Sequence, residues 1–281
     1  MSSIEHQMTE IYCFIDDYLK AHPRRAAWRR SPNSQPAFTD AEVLTIALLQ
    51  GSFGCATLKQ AYLLISANWP GAFPHLCSYK QWLARLHALT ALVGQLTHAA
   101  CPATGHASAL YLIDSKPIPV CKPIRHGRVR LLREDGAYWG KSTTGWFFGF
   151  KLHLLSHLDG QIRGGLLLPA NFNDRDAAPA LSLAVDGGVA LGDLGYVSAP
   201  LAKTLADEAE LLLLTPKDGG RLHEPRRALI SSLRERVETL FSKLWSVFVD
   251  RVLSRSWHGL WNTIKLKLLY YNLLHARLLS A

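Results

Sequence analysis

From Ala109 onward the sequence stops following a helical period and breaks into short apolar runs, and this change limits the fold more than any other feature. Leu110 to Ile113 is wholly apolar and ends in Asp114. Trp146 to Leu155 and Gln161 to Leu168 flank Asp159 and Gly160, a dipeptide suited to the positive φ of a tight hairpin. A helix is expected over 176 to 185, after which Val189 to Leu191 runs into Gly192 and Asp193. Another helix and a fifth strand, Leu211 to Leu214, follow. Pro225 then opens a long helical segment in which Leu229, Leu233, Val237, Leu240, Leu244 and Phe248 step by three and four, so that one face is buried. The order strand, strand, strand, helix, strand, helix, strand, helix predicts an α/β domain built on a mixed sheet.

The residues before Ala109 read as helices. Thr39 and Glu42 have capping-box spacing, and Val43, Leu44, Ala47 and Leu48 follow at helical intervals, so a helix should begin near Asp40. Upstream, Pro23, Pro32 and Pro36 among Arg24, Arg25, Arg29 and Arg30 predict an irregular basic segment. Further helices are expected over 56 to 67 and 79 to 99, separated by a turn at Trp69, Pro70, Gly71 and Pro74. The stretch Ser78, Tyr79, Lys80, Gln81 to Arg85 has two readings, a groove-reading helix or one helix of an ordinary small bundle. With no internal repeat, the expected division is a helical region over 1–105, an α/β domain over 106–250 and a basic helical extension over 251–281. In the extension, Arg251, Arg255, Lys265, Lys267 and Arg277 alternate with Leu260, Ile264, Leu268 and Leu274, which predicts a helix with one packed and one basic face.

Charge narrows the partners. Thirty-one Lys and Arg against 22 Asp and Glu leave a net +9, which favours a polyanion such as nucleic acid or an acidic membrane surface. No apolar run approaches the roughly 18 residues of a membrane span, and Glu5, Glu10, Asp16 and Asp17 do not fit a signal peptide, so a cytoplasmic, nucleoid-associated protein is expected. Five scattered cysteines without a C-x-x-C pair argue against a zinc ribbon and a disulfide framework. His153 and His157 are four apart, but on an expected strand, where that spacing is not a helical metal-ligand face.

Asp114 and Asp193 each follow an apolar run that draws them toward the core, and a buried carboxylate needs a partner. Three partners are open: a turn that the carboxylate caps, a Lys or Arg, or a hard metal ion such as Mg²⁺. Glu238 sits beside the buried stripe of its helix, one residue after Val237, although Arg234 four residues earlier offers it an ordinary helix pair. Together, two strand-end aspartates and a helical glutamate could hold two metal ions about 4 Å apart, the arrangement used in phosphoryl transfer. No GxxxxGK[ST] loop and no serine elbow is present. Asp174 and Asp176 precede an expected helix and read as its caps. Among Trp139, Trp146, Phe147, Phe148 and Phe150, most should fill the core, while Trp139, in an expected loop with Gly136 and Gly140, is the one placed to stack on an unpaired base. Lys116, Lys122, Arg125, Arg128, Arg130 and Arg133 form a run with no acidic residue between them and predict a phosphate-contacting element.

Several pieces then converge: Leu-Ile-Asp-Ser-Lys-Pro-Ile-Pro-Val-Cys-Lys at 112–122, Phe-Phe-Gly-Phe-Lys-Leu-His-Leu-Leu at 147–155, Leu-Pro-Ala-Asn at 168–171, Leu-Gly-Asp-Leu-Gly-Tyr at 191–196 and Arg-Val-Glu-Thr-Leu-Phe-Ser at 236–242. Over nearly the whole chain these resemble bacterial insertion-sequence DDE transposases, most closely the family numbered nine-eighty-two. The resemblance implies a ribonuclease-H-like core, a mixed sheet with helices on both faces, after a helical, helix-turn-helix-like DNA-binding region. It places the metal ligands on Asp114, Asp193 and Glu238, with Asp114 bridging two Mg²⁺ ions that Mn²⁺ can replace. It implies cleavage and strand transfer on DNA, with the element's terminal inverted repeats and target DNA as partners and a homodimer on DNA. Related enzymes often surround the glutamate with Tyr, Arg and Lys; Arg234 fits the Arg place and joins the expected DNA contacts, whereas Ser231 and Trp245 occupy the other two. A nuclease that only hydrolyses and an inactive, transposase-derived DNA-binding protein are the alternatives.

Overall fold

A computed structural model describes residues 3–23, 36–101, 109–143, 145–215, 239, 242 and 253–279. It divides into two compact units, one of Met1–Ala100 with His258–Ala281 and one of Cys101–Trp257. The segment from Pro225 through Phe248, with its apolar stripe, Arg234 and Glu238, lies outside the described residues except for Thr239 and Ser242.

The first unit is helical: α1 (Ile4–Ala21), α2 (Asp40–Ser52), α3 (Leu58–Asn68), α4 (Tyr79–Ala88), α5 (Thr90–Ala99) and α8 (Trp257–His275). Thr39 and Glu42 form the expected capping box of α2, a helix buried along most of its length. The single helix expected over 79–99 is two, α4 and α5. The chain bends at Leu89, and the Thr90 hydroxyl turns back onto the His87 carbonyl at 2.7 Å.

Two side chains of the possible groove-reading stretch point elsewhere. The Arg85 guanidinium pairs with the buried Asp40 carboxylate at 2.7 Å, and Gln81 caps its own helix through Ser78. Trp82 is fully buried and donates its indole N–H to the Val43 carbonyl at 3.1 Å, so α4 is pinned to α2. α8 also differs from expectation: it has no basic face. Leu260, Ile264, Leu266, Leu268, Leu269, Tyr270 and Leu273 are all buried, and so is Lys267, whose ammonium burial pushes down to about 8. Gly51 explains one contact, since a Cβ there would lie 2.4 Å from the Tyr270 ring.

The second unit is a six-stranded mixed sheet with β1 (Leu110–Cys121), β2 (Tyr138–Ser142), β3 (Gly145–His157), β4 (Ile162–Pro169), β5 (Gly188–Leu191) and β6 (Leu211–Leu214). Its order is β2-β3-β1-β5-β6, with β4 also paired to β3. β3 is the long central member; along one edge it pairs with β1, and along the other first with β2 and then with β4, all antiparallel. The β3–β4 turn is the expected Asp-Gly hairpin, with Gly160 at φ 105° and the Asp159 carboxylate accepting the Gln161 N–H at 2.9 Å. β5 and β6 add in parallel beside β1.

β1 runs eight residues further than the apolar run predicts, straight through Pro117 and Pro119. The backbone alternation explains why. The Ala109 carbonyl accepts from Val189 of β5 and the Leu110 carbonyl from Leu158 beside β3, so odd-numbered residues of β1 turn their polar groups toward the β5 edge. β5 pairs only with Leu110 to Leu112, so the missing N–H groups of both prolines fall on an edge with no ladder partner among the described residues.

α6 (Asp174–Ser182) and α7 (Ala199–Ala209) cover one face of the sheet. Tyr111, Ile113, Leu155, Ala190, Leu211 and Leu213 meet Ala177, Leu181, Leu201 and Leu205 there. Leu112 and Leu191 mark the opposite face.

Candidate active site

Asp114 and Asp193 lie just past the last residues paired between two neighbouring parallel strands. Leu112 of β1 is level with Leu191 of β5, and each aspartate follows its leucine by two residues, one full strand period. Asp114 is thus inside β1, at the point where β5 leaves it, and not at the end of its strand as the sequence suggests. Asp193 lies two residues past the end of β5, at the carboxyl rim of the parallel strands, where ligands bind. Both are half-buried. One oxygen of each is oriented by backbone: Asp114 Oδ1 accepts the Ser115 N–H at 2.7 Å, and Asp193 Oδ1 the Gly195 N–H at 2.8 Å.

The residues that follow make sense of the Gly-Asp-Leu-Gly-Tyr run. After Asp193 the chain takes one 3-10 turn, Leu194–Tyr196, which swings the Tyr196 ring back over Gly192. A Cβ on Gly192 would lie 2.9 Å from the Tyr196 side chain; one on Gly195 would lie 2.9 Å from Asp193 Oδ1 and 3.1 Å from Asp174 Oδ2. Both glycines therefore make room, one for the ring and one for two carboxylates. Tyr196 is fully buried and its hydroxyl has no hydrogen-bond partner among the described residues. Burial, then the charges of Asp174, Asp114 and Asp193, push this phenol well above its ordinary value, so it stays protonated and keeps a proton to donate.

Sequence reasoning passed over Asp174. Asn173 is the cap of α6 and Asp176 does bond back to it, its carboxylate accepting the Asn173 N–H at 2.9 Å. Asp174, the first helical residue, faces the sheet instead. Its Oδ1 accepts the Ser115 hydroxyl at 2.7 Å and the Lys151 ammonium at 3.2 Å, and lies 3.8 Å from His153 Nδ1. His153 is fully buried with both ring nitrogens unpartnered among the described residues, and burial lowers it to about 4. The sequence signal was a helix start two residues too late, which put both aspartates ahead of the helix and hid their different phases.

Lys116 is on β1, two residues past Asp114 and on the same face. Lys122, Arg125, Arg128, Arg130 and Arg133 follow the strand, all exposed, on a 3-10 turn (Pro123–Arg125) and the turns after it. Arg133 is held, donating to the His126 carbonyl at 2.6 Å with its guanidinium 5.6 Å from the centre of the Phe148 ring. Trp139 is on β2 and not in a loop; its ring packs 4.7 Å from His126 and 5.7 Å from Phe148. Of the five aromatics singled out in the sequence, Trp146 is the one left exposed, at 63%.

The donor set around Asp114 and Asp193 is all oxygen, which suits Mg²⁺ or Mn²⁺ and not zinc. Among the described residues no three ligating side chains meet closely enough to hold a metal by themselves. The two aspartates are oxygen donors of the kind such an ion takes and would need a further ligand to hold one. Glu238, the expected third acid, and Arg234 lie outside the described residues.

Among the described residues no helix is long and apolar enough to cross a membrane. No curated protein and no solved structure matches the chain. A family model described as Transposase DDE domain matches residues 104–248, an interval that contains the whole sheet, Asp114, Asp193 and Glu238. The match covers more than half of the 281 residues, and the chain belongs to the transposase DDE domain family.

Proposed function

We propose that the protein cuts the ends of an insertion sequence and joins the released 3′ hydroxyls to target DNA. The observation that carries this is that Asp114 and Asp193 each follow, by two residues, one member of the level Leu112–Leu191 pair on adjacent parallel strands, and that the buried Tyr196 hydroxyl, which has no partner among the described residues, feels both charges. Mg²⁺ or Mn²⁺, two ions held by Asp114, Asp193 and Glu238, would activate the attacking oxygen and stabilise the leaving one. Asp114 and Asp193 each keep one oxygen fixed by a backbone N–H, so little reorganisation is needed when charge develops between them. Tyr196 holds its proton and offers a hydrogen bond into the acid cluster. The exposed cations from Lys122 to Arg133, with Lys116 and Arg234, would contact DNA phosphates. The mixed sheet with helices packed on it supports a ribonuclease-H-like core, and the net charge supports action on DNA near the nucleoid; a homodimer on DNA rests on the family resemblance alone.

Incubation with a labelled element end, target DNA and Mg²⁺ or Mn²⁺ tests the reading. Nicked and joined products are expected, and neither should form in EDTA. Nicking without joining would instead show a hydrolytic nuclease.

A further inference from the structure

The cluster on the α6 side of the sheet has no role in the reading above, yet it ties together the two pieces of chain that carry the acids. Asp174 Oδ1 accepts from Ser115, the residue directly after Asp114 on β1. Its Oδ2 overhangs Gly195, whose N–H orients Asp193. Lys151 of β3 bonds the same Oδ1 and also the Phe172 carbonyl at 3.1 Å, which fixes the start of α6 against the sheet. One carboxylate thus bonds β1 and β3 and lies close over the turn after β5. The link is needed because β5 and β1 stop pairing at Leu112 and Leu191, two residues short of the acids, so no ladder bond between the two strands holds Asp114 at a set distance from Asp193.

We propose that Asp174 is a positioning residue for the catalytic acids, acting through Ser115 on Asp114 and across Gly195 on Asp193, with Lys151 holding its charge in place. This rests on the reading of Asp114 and Asp193 as the metal-binding acids. Residues that orient metal ligands typically govern affinity or activity by 10–100-fold, although they touch neither metal nor substrate.

The test uses the full-length protein with two readouts: Mn²⁺ binding by electron paramagnetic resonance without DNA, and cleavage of a labelled element end at saturating DNA. Asp174→Asn and Ser115→Ala are expected to weaken Mn²⁺ binding and slow cleavage by about 10-fold or more each. Ser115→Thr, which keeps the hydroxyl on a strand that tolerates branching, should restore both. If Asp174→Asn does not fold, the Ser115 pair decides alone. Wild-type Mn²⁺ affinity and cleavage in Ser115→Ala, with Asp193→Asn inactive, would overturn the proposal. A lowered melting temperature with unchanged binding and rate per folded molecule would overturn it equally, because Ser115 would then be a structural pin only. Mn²⁺ binding and cleavage that survive in Asp193→Asn would overturn the assignment of the acids, and the brace with it.

Discussion

At the residue scale, the chemistry depends on side chains whose environment differs from that of their neighbours in sequence. Asp174 and Asp176 are two residues apart, and one braces the sheet while the other caps its helix. His153 has a measurable consequence. Its burial holds the folded-state value near 4, below the ordinary 6.5, so the unfolded chain takes up a proton that the folded chain does not. Stability is fully present above 6.5 and lost as pH falls toward 4. Between pH 7 and 5 this residue should cost the protein about 2 kcal/mol. Urea titrations at the two pH values should show that loss in the wild type and a loss smaller by about that amount in His153→Leu. Equal losses would mean that His153 is not the titrating group. That Asp114 and Asp193 follow the apolar runs of β1 and β5 was legible. The orphaned Tyr196 hydroxyl was not, since only the 3-10 turn at Leu194–Tyr196 brings it to the acids.

At the element scale, four of the strand assignments, β3 to β6, needed only local pattern. The hairpin was announced by Asp159-Gly160, and β5 and β6 by their apolar runs. The length of β1 was not legible, because proline breaks a strand only if its nitrogen faces a partner, and which edge is unpaired is a property of the whole sheet. The same extension moves Lys116 into the strand and leaves Lys122 to Arg133 as a separate exposed element. If that element contacts phosphates, Arg125→Ala, Arg128→Ala and Arg130→Ala should each reduce the salt slope of DNA binding by about one. An unchanged slope in the triple variant would make it solvated surface. Arg133→Ala should behave differently and lower the melting temperature as well, because Arg133 packs on Phe148 and bonds the His126 carbonyl.

At the scale of the whole molecule, the division into two units was legible in the change of texture near Ala109. The membership of the last helix was not: α8 is amphipathic in sequence only if Lys265 and Lys267 are assumed to face water, and Lys267 does not. α8 belongs with the N-terminal helices, where Asn272 donates to the Thr97 carbonyl at 3.1 Å. A chain truncated after residue 256 loses the burial of Leu260, Ile264, Leu266, Leu268, Leu269 and Leu273. At roughly 1.5–3 kcal/mol each, this rivals the whole stability of a domain. The helical unit of such a chain, or of a fragment spanning 1–105, should show no cooperative thermal transition by circular dichroism. A sharp transition in either would mean that α8 is dispensable.

The central claim is that Asp193 serves the reaction and not the fold, and Asp193→Asn tests it most directly. Asparagine retains an oxygen for the Gly195 N–H, so the turn is preserved while the charge is removed. Cleavage and joining of a labelled element end in Mg²⁺ should fall below detection, with DNA affinity and melting temperature close to wild type, because binding draws on the exposed cations and not on this carboxylate. A folded Asp193→Asn protein that nicks and joins at the wild-type rate would contradict the account.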